Sequence, residues 1–446
     1  MAKFLVLGAG LVTAPLVEYL CRRPENTIVV ANNILADAQG LVSQYTNASA
    51  EQINVTDAQN LQARAAGFDV VISMVPPAFH TRIARACIAA KTHMVTASYQ
   101  SPEMLALADQ AKAANITILN EIGLDPGIDH LSALKIIDEA HGRGEKVEAF
   151  VSWCGGIPAP DSNNNPLGYK FSWEPKGAIL VLLNQADFLR AGENVTIAPD
   201  ALMNWVKPVR INGQDFECYP NRNSRLYRDI YNIPEVQTLV RGTLRYPGFC
   251  RVMQLAKTLG LFSLEEFSAP HKSTWKQYVG ALNKGIDLNT LQAQAPETAW
   301  AALDWLGVFS DEVISDIQTP LDTFCALLLD KLSYLDGESD LVVLQHKFII
   351  KKPDGSKYFM TSTLTRKGDP NGYSAMAATV GTPVAIAAQM IADGQIHQTG
   401  LILPVSQSVY DPILNLLETE NIVLTEQVCQ YDIMSEQDFI PELVFV

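Results

Sequence analysis

The stretch "KFLVLGAGLVTAPLVEYL", residues 3–20, constrains the fold more than any other part of the chain. An apolar run, a glycine turn and a helical pattern follow one another without a gap. A strand that is apolar on both faces belongs in a parallel sheet covered by helices. Gly8 allows a tight turn, and Gly10 lets the backbone approach a pyrophosphate. The N–H groups at the start of the next helix then attract the anion. The third small position falls at Thr13, so a slightly looser approach of helix to strand is expected. A GxG pair alone is a weak sign, and a tight turn without a ligand is the alternative. Position separates the two: the pair directly follows the first strand and precedes a helix, as a dinucleotide site requires.

The same rhythm runs to residue 125. Apolar runs "FLVLGA", "TIVVAN", "VVISMV", "HMVTAS" and "ITILNE" alternate with helical stretches starting near Pro15, Leu35, Phe79 and Pro102. That alternation predicts an α/β fold built on a Rossmann-type, doubly wound parallel sheet. A chain of 446 residues exceeds one core, so two or three domains are expected. Residues 147–153, "VEAFVSW", open a new strand; residues 341–365 read as a hairpin around "PDG", with one face covered. Residues 251–335 show helical spacing without β-rich runs, and residues 375–393 read as a buried helix interrupted near Pro383. The expected domains are therefore a dinucleotide-binding domain, 1–125, and a mixed α/β substrate domain, 126–250 with 336–393. An all-helical insertion, 251–335, splits the second, and 394–446 returns to the first.

Composition narrows the function. No run reaches the ~18 apolar residues that a membrane span needs. The N-terminus opens straight into a strand, with no charged region or apolar stretch of a signal peptide. Seven scattered cysteines without a CxxC pair point to reduced thiols, no structural metal and a cytoplasmic home. A net charge of −15 disfavours nucleic acid and anionic membranes as partners, and leaves small anionic substrates open.

Four places carry candidate chemistry. The second strand ends in Ala31, Asn32 and Asn33, without the acid that bonds a ribose 2′-OH. Nothing there repels a 2′-phosphate, which favours NADP; no arginine clamps it, so NAD stays open. Residues 219–251 hold Arg222, Arg225, Arg228, Arg241, Arg245 and Arg251 in an otherwise acidic chain. Such a set suits a substrate with several carboxylates; a solvated surface with short-range partners is the alternative. The loops "TASYQSP" and "NEIGLDPGIDHL" follow strands at the carboxyl edge, where ligands of such sheets lie. Gly123 and Gly127 allow tight turning, and Pro126 biases Asp125 to an extended shape aimed at a nicotinamide. Asp125 or Asp129 could instead cap the next helix. Cys154, read as ending the first strand of the second domain, is an acid/base candidate or a small buried hydrophobe. His80 and His130 read as structural. No HExxH or GxSxG is present, which disfavours hydrolases.

These motifs, together with "MVPPAFH", "CGGIPAPDSNNNPLGYKFSW", "CYPNRNS", "RGTLRYPGF", "VVLQHKF" and "GYSAMAATVGTPVAIA", resemble the glutamate-forming saccharopine dehydrogenase (saccharopine reductase) family over nearly the whole length. The resemblance implies three domains, a homodimer and NADP(H), with NAD as an option. Matched motif by motif, it implies cofactor contacts at Gly8, Ala9, Gly10, Leu11, Val12, Asn32, Asn33, Val55, Val75, Ala97, Ser98, Leu124, Asp125 and Pro126. It implies substrate contacts at Ser98, Tyr99, Asp125, Arg222, Thr243, Leu244 and Arg245, with Asp125, Tyr99 and Cys154 as catalytic candidates. Family members often carry arginine where this chain has Asn33. The implied activity is interconversion of saccharopine with L-glutamate and α-aminoadipate δ-semialdehyde, by hydride transfer at a C–N bond, in lysine metabolism. One rival is a related imine reductase such as carboxynorspermidine dehydrogenase, which needs fewer carboxylate clamps. Another is a non-catalytic NADP-binding protein, which needs neither Asp125, Tyr99 nor the arginines.

Overall fold

The computed structural model describes residues 1–267, 272–315, 318–430 and 435–443. Its strands, in chain order, are β1 (Lys3–Leu7), β2 (Thr27–Asn32), β3 (Ala48–Gln52), β4 (Val70–Ser73), β5 (His93–Val95), β6 (Thr117–Leu119), β7 (Lys146–Pro158), β8 (Ala186–Arg190), β9 (Glu193–Ile197), β10 (Lys207–Ile211), β11 (Gln214–Pro220), β12 (Thr238–Arg245), β13 (Asp340–Lys351), β14 (Lys357–Lys367), β15 (Gly400–Ile402) and β16 (Thr425–Gln430). The chain divides into two units, Met1–Gly144 with Gly372–Thr425, and Glu145–Asn371 with Glu426–Val446.

The first unit holds a parallel sheet in the order β15-β6-β5-β4-β1-β2-β3. From β1 the chain winds one way through β2 and β3, then the other way through β4, β5 and β6. The topological switch point lies between β1 and β4, where such sheets bind ligands beyond their carboxyl ends. Phe4, Leu5, Val6 and Leu7 of β1 are fully buried, which is why the opening run is uniformly apolar. The strand β3, "ASAEQ", is missed by the sequence reading because it lies at the sheet edge with no residue fully buried.

The second unit has a mixed nine-stranded sheet whose main path is β10-β11-β12-β7-β13-β14-β16. The long β7 runs parallel to β12 and antiparallel to β13. The expected hairpin is β13 with β14. Every residue of β13 except Lys351 is buried, so both of its faces are covered, not one. The helices Phe249–Thr258, Trp275–Leu282, Leu288–Gln294, Glu297–Leu306 and Pro320–Lys331 occupy the expected helical region. They share one hydrophobic core with the sheet, Met253, Leu303 and Phe324 joining the cluster that contains Trp153 and Val240.

The division differs from the sequence expectation in three places. Helix Ile128–Gly142 belongs to the first unit, packed on helix Gln407–Thr419 with the Tyr410 hydroxyl donating to Asp138. Helix Ala375–Ala392 also belongs there, against helix Ala14–Cys21 and against β4 and β5. Apolar on all sides, it must be enclosed, and its composition does not say by which sheet. The chain after residue 393 first returns to the first unit, β15 pairing with β6, and then leaves it: residues 426–446 belong to the second.

Helix Ala375–Ala392 corrects two further expectations. It is long and apolar enough to cross a membrane, yet 89% of it is buried inside the protein, as a core helix is. It also continues through Pro383 without a break, because enclosure holds a turn that proline would otherwise open.

Candidate active site

The glycine turn forms as its residues demand. Gly8 adopts φ +105°, its N–H donates to the Ala31 carbonyl (2.9 Å), and the Met74 N–H donates to the Leu7 carbonyl (2.8 Å). A Cβ on Gly8 would lie 2.9 Å from the Met74 carbonyl oxygen, so only glycine lets the two loops approach. Over Gly10 the opposite holds: a Cβ there would meet nothing within 4 Å, and Leu11 beside it is exposed. Helix Ala14–Cys21, with Pro15 in its first turn, starts immediately afterwards. This open glycine cradle at a helix start fits the pyrophosphate of NADP(H). Ala9 and Val12 complete the turn; Val55 and Val75 are half-buried near the same edge. Thr13, at the third small position, is fully buried.

At the end of β2, Asn32 donates to the Ile34 carbonyl (3.2 Å) and to the Asp37 carboxylate (3.1 Å). Asn33 is exposed, and its side chain accepts from the Ile34 N–H. Asp37 corrects the expectation that no acid stands near this strand end. It lies in the first turn of the next helix, five residues beyond Asn32, and so outside the strand end itself.

The two carboxyl-edge loops are tied together. The Tyr99 hydroxyl donates to Asp125 Oδ1 at 2.8 Å. Asp129 Oδ1 accepts the Gly127 N–H at 2.6 Å, and Gly127 is the N-cap of helix Ile128–Gly142. Asp129 therefore serves the turn, while Asp125 faces Tyr99. Gly123 donates to the Pro126 carbonyl (2.8 Å), closing the loop on itself between Leu124 and Pro126. Glu121, which the sequence reading passed over, binds both segments. Its carboxylate accepts the Gln100 N–H (3.0 Å) and contacts His130 Nε2 (2.9 Å), and its own N–H donates to the Ser98 carbonyl (3.2 Å). It is buried and adopts φ +60°, neither of which its sequence position signals. Ala97 lies against Gly123, where a Cβ would meet the Ala97 Cβ at 2.9 Å. Ser98 Oγ contacts His80 Nε2 at 2.8 Å, and burial holds that imidazole down at about 4.

In the second unit, Cys154 is buried inside β7 and not at its end; the strand runs four residues further. It stands beside Thr243 of β12 and Leu344 of β13. Thr243 Oγ1 accepts from Asn221 (2.9 Å), and Leu244 packs so tightly on Gly155 that a Cβ there would approach to 2.8 Å. Arg245 is buried with its guanidinium 4.9 Å from the Tyr169 ring and 5.3 Å from the Phe249 ring. One nitrogen donates to the Leu244 carbonyl. Its Nε–H and the Tyr169 hydroxyl are both buried without a hydrogen-bond partner among the described residues. A cation and a hydroxyl left this way fit an anionic ligand group. Tyr169 is a second residue the sequence reading passed over, since its burial against an arginine 76 positions away is not local.

The arginine cluster is not one set. Arg222 is exposed, with φ +52°. Arg225 pairs with Asp187 at 3.4 Å, Arg228 binds the Pro234 carbonyl, and Arg241 lies 4.0 Å from the Tyr227 ring centre. Arg251 is exposed. Only Arg245 is both buried and equipped with an unused donor.

Two family models cover the chain. The saccharopine dehydrogenase NADP binding domain matches residues 4–119, and the saccharopine dehydrogenase C-terminal domain matches residues 123–423. The chain is 42% identical over 429 residues to saccharopine dehydrogenase (NADP(+), L-glutamate-forming) of Saccharomyces cerevisiae, covering 93% of this chain and 96% of that one. It is 38% identical over 444 residues to the mitochondrial alpha-aminoadipic semialdehyde synthase of Rattus norvegicus, covering 95% of this chain and 48% of that one. The solved structure of apo histidine-tagged saccharopine dehydrogenase (L-Glu forming) from Saccharomyces cerevisiae matches with a TM-score of 0.87 at 40% identity, over 96% of this chain and 100% of that one. With an NADP-binding domain at its N-terminal end and family matches along nearly its whole length, the chain belongs to the saccharopine dehydrogenase family.

Proposed function

We propose that this protein interconverts saccharopine with L-glutamate and α-aminoadipate δ-semialdehyde, using NADP(H). The observation that carries the reading is the Tyr99–Asp125 hydrogen bond at the carboxyl edge of the sheet that bears the glycine turn. When bound, NADP(H) accepts or supplies the hydride at the C–N bond. The chain's own residues bind, orient and manage protons. Tyr99 commits its hydrogen to Asp125, so its oxygen lone pairs can accept an N–H of the substrate's secondary amine. The Asp125 charge favours the cationic imine that forms as the amine is oxidised. Within the second unit, Arg245 and Tyr169, with donors unspent, suit a carboxylate, the group that saccharopine and L-glutamate share.

Nicotinamide absorbance tests this directly. Saccharopine added to the purified protein should raise it with NADP+, and more slowly with NAD+. Tyr99→Phe should lower kcat/KM for saccharopine at least tenfold while leaving the KM for NADP+ nearly unchanged, as a lost charge-assisted hydrogen bond of about 1.5–3 kcal/mol would. Tight dinucleotide binding with no absorbance change would leave a binding protein and no enzyme.

We further propose a homodimer working in the cytoplasm. The first rests on the family resemblance, the second on seven cysteines that are all thiols. Sedimentation at the chain mass, or fractionation into an oxidising compartment, would overturn them.

A further inference from the structure

The buried side of Ser98 carries an arrangement that the scheme above leaves unused. The short 3-10 turn Pro77–Phe79, from the motif "MVPPAFH", delivers His80 to the first position of helix His80–Ala90. His80 is 2% exposed. Its Nδ1 lies 2.8 Å from Ser73 Oγ at the end of β4, and its Nε2 lies 2.8 Å from Ser98 Oγ and 3.3 Å from Thr96 Oγ1 beyond β5. A core position filled only for volume has no need of an imidazole, whose burial disfavours its charged form; an aliphatic side chain would fill it without desolvating two nitrogens. This ring instead spans the ends of two neighbouring strands and ends on the one hydroxyl of the group, Ser98, that is only half-buried.

A neutral imidazole has one N–H and one lone pair. Whether Nε2 carries the N–H or the lone pair, it uses one of the Ser98 hydroxyl's hydrogen-bonding directions and fixes the others. The Ser73 contact on the opposite nitrogen holds the ring from turning.

We propose that His80 is a positioning residue for the reaction, acting through Ser98: bridged between Ser73 and Ser98, it sets the direction in which the Ser98 hydroxyl meets its ligand. The inference rests on the reading that Ser98 lines the active site. It differs from a packing role because only the Nε2 end of the ring matters to catalysis.

Two substitutions separate the ends. His80→Asn places its amide where Nδ1 stands and keeps the Ser73 bond, while His80→Gln reaches towards the Nε2 position and Ser98. Each is assayed with saccharopine and NADP+, with thermal midpoints recorded, in the wild-type and Ser98→Ala backgrounds. The expected result is a loss in kcat of about tenfold for His80→Asn with the KM for NADP+ within about twofold, as for one lost hydrogen bond. His80→Gln should recover most of that loss, and His80→Asn should cost nothing further once Ser98 is alanine. Equal defects in Asn and Gln, or a full His80→Asn effect in the Ser98→Ala background, would overturn the role and leave His80 as packing. Wild-type turnover by Ser98→Ala would instead remove Ser98 from the site, and this inference with it. Should His80→Asn fail to fold, His80→Ala takes its place in the same two backgrounds: an additive double variant overturns the proposal and a non-additive one supports it.

Discussion

Asp125 and Asp129 stand four residues apart in one loop and are used differently. The first faces Tyr99; the second holds the Gly127 N–H at the helix start. The sequence could say that an acid locked between a tight turn and a proline is positioned for something, because proline restricts the residue before it. It could not say which acid caps the turn, since capping depends on where the first helical turn begins. Glu121 and Tyr169 carry no local mark for another reason: beyond His130, the partners of Glu121 lie in the loop after β5, those of Tyr169 lie around Arg245, and no local pattern marks a residue for burial beside them. His80 yields a pH prediction at this scale. Its imidazole is held at about 4, against 6.5 unperturbed, by burial. Between those values the unfolded chain binds more protons than the folded one, so stability falls as pH drops from 6.5 towards 4 and is indifferent to this group above 6.5. Urea midpoints measured from pH 4 to 7 should show that slope in the wild type and a flatter one in His80→Gln. An identical slope in both would remove His80 as its source.

At the scale of the element, helix Ala375–Ala392 shows how packing overrides a local signal. A proline in a helix interior forfeits a hydrogen bond and crowds the carbonyl four residues back, at ~3 kcal/mol in an exposed helix. This helix keeps its course because 16 of its 18 residues are buried. Its approach to the glycine-turn segment is set by Gly381, where a Cβ would lie 2.6 Å from the Val12 carbonyl oxygen and 3.2 Å from the Leu16 nitrogen. Both obstacles are backbone, so neither can rotate away. Gly381→Ala should lose about 1–3 kcal/mol in urea unfolding, as overpacking does, and should also weaken NADP+ binding, because the displaced atoms belong to the turn that would hold it. Unchanged midpoint and affinity would mean the helix yields freely there. The polar edge strand β3 makes the converse point: an element without a buried face leaves no apolar period to read.

Over the whole molecule, both units are built from discontinuous chain. The last segment closes the second unit through a buried ion pair. Glu442 Oε1 accepts from Lys347 Nζ (2.7 Å) and Trp153 Nε1 (2.9 Å); Lys347 also donates to the Phe439 carbonyl (3.1 Å), and Phe439 stacks on Phe359 at 4.6 Å. Glu442→Ala leaves a buried ammonium and a buried indole N–H without this acceptor. It should cost about 3–5 kcal/mol, whereas Lys347→Met with Glu442→Leu should recover much of that, since an apolar pair avoids desolvating charge. A loss under ~1 kcal/mol in the single variant would mean the segment is dispensable to the fold.

What the sequence determined alone is what neighbouring residues impose on one another. The strand–turn–helix alternation, the glycine cradle, the loops at the carboxyl edge and the helical stretch 251–335 all follow from periods and turn chemistry within about 20 residues. The tertiary structure decided which sheet encloses an all-apolar helix, which of six arginines is buried with a donor to spare, and where the last segment lodges. Those outcomes depend on surfaces that meet only after the chain has folded back across hundreds of residues, and burial, not local pattern, selects among them.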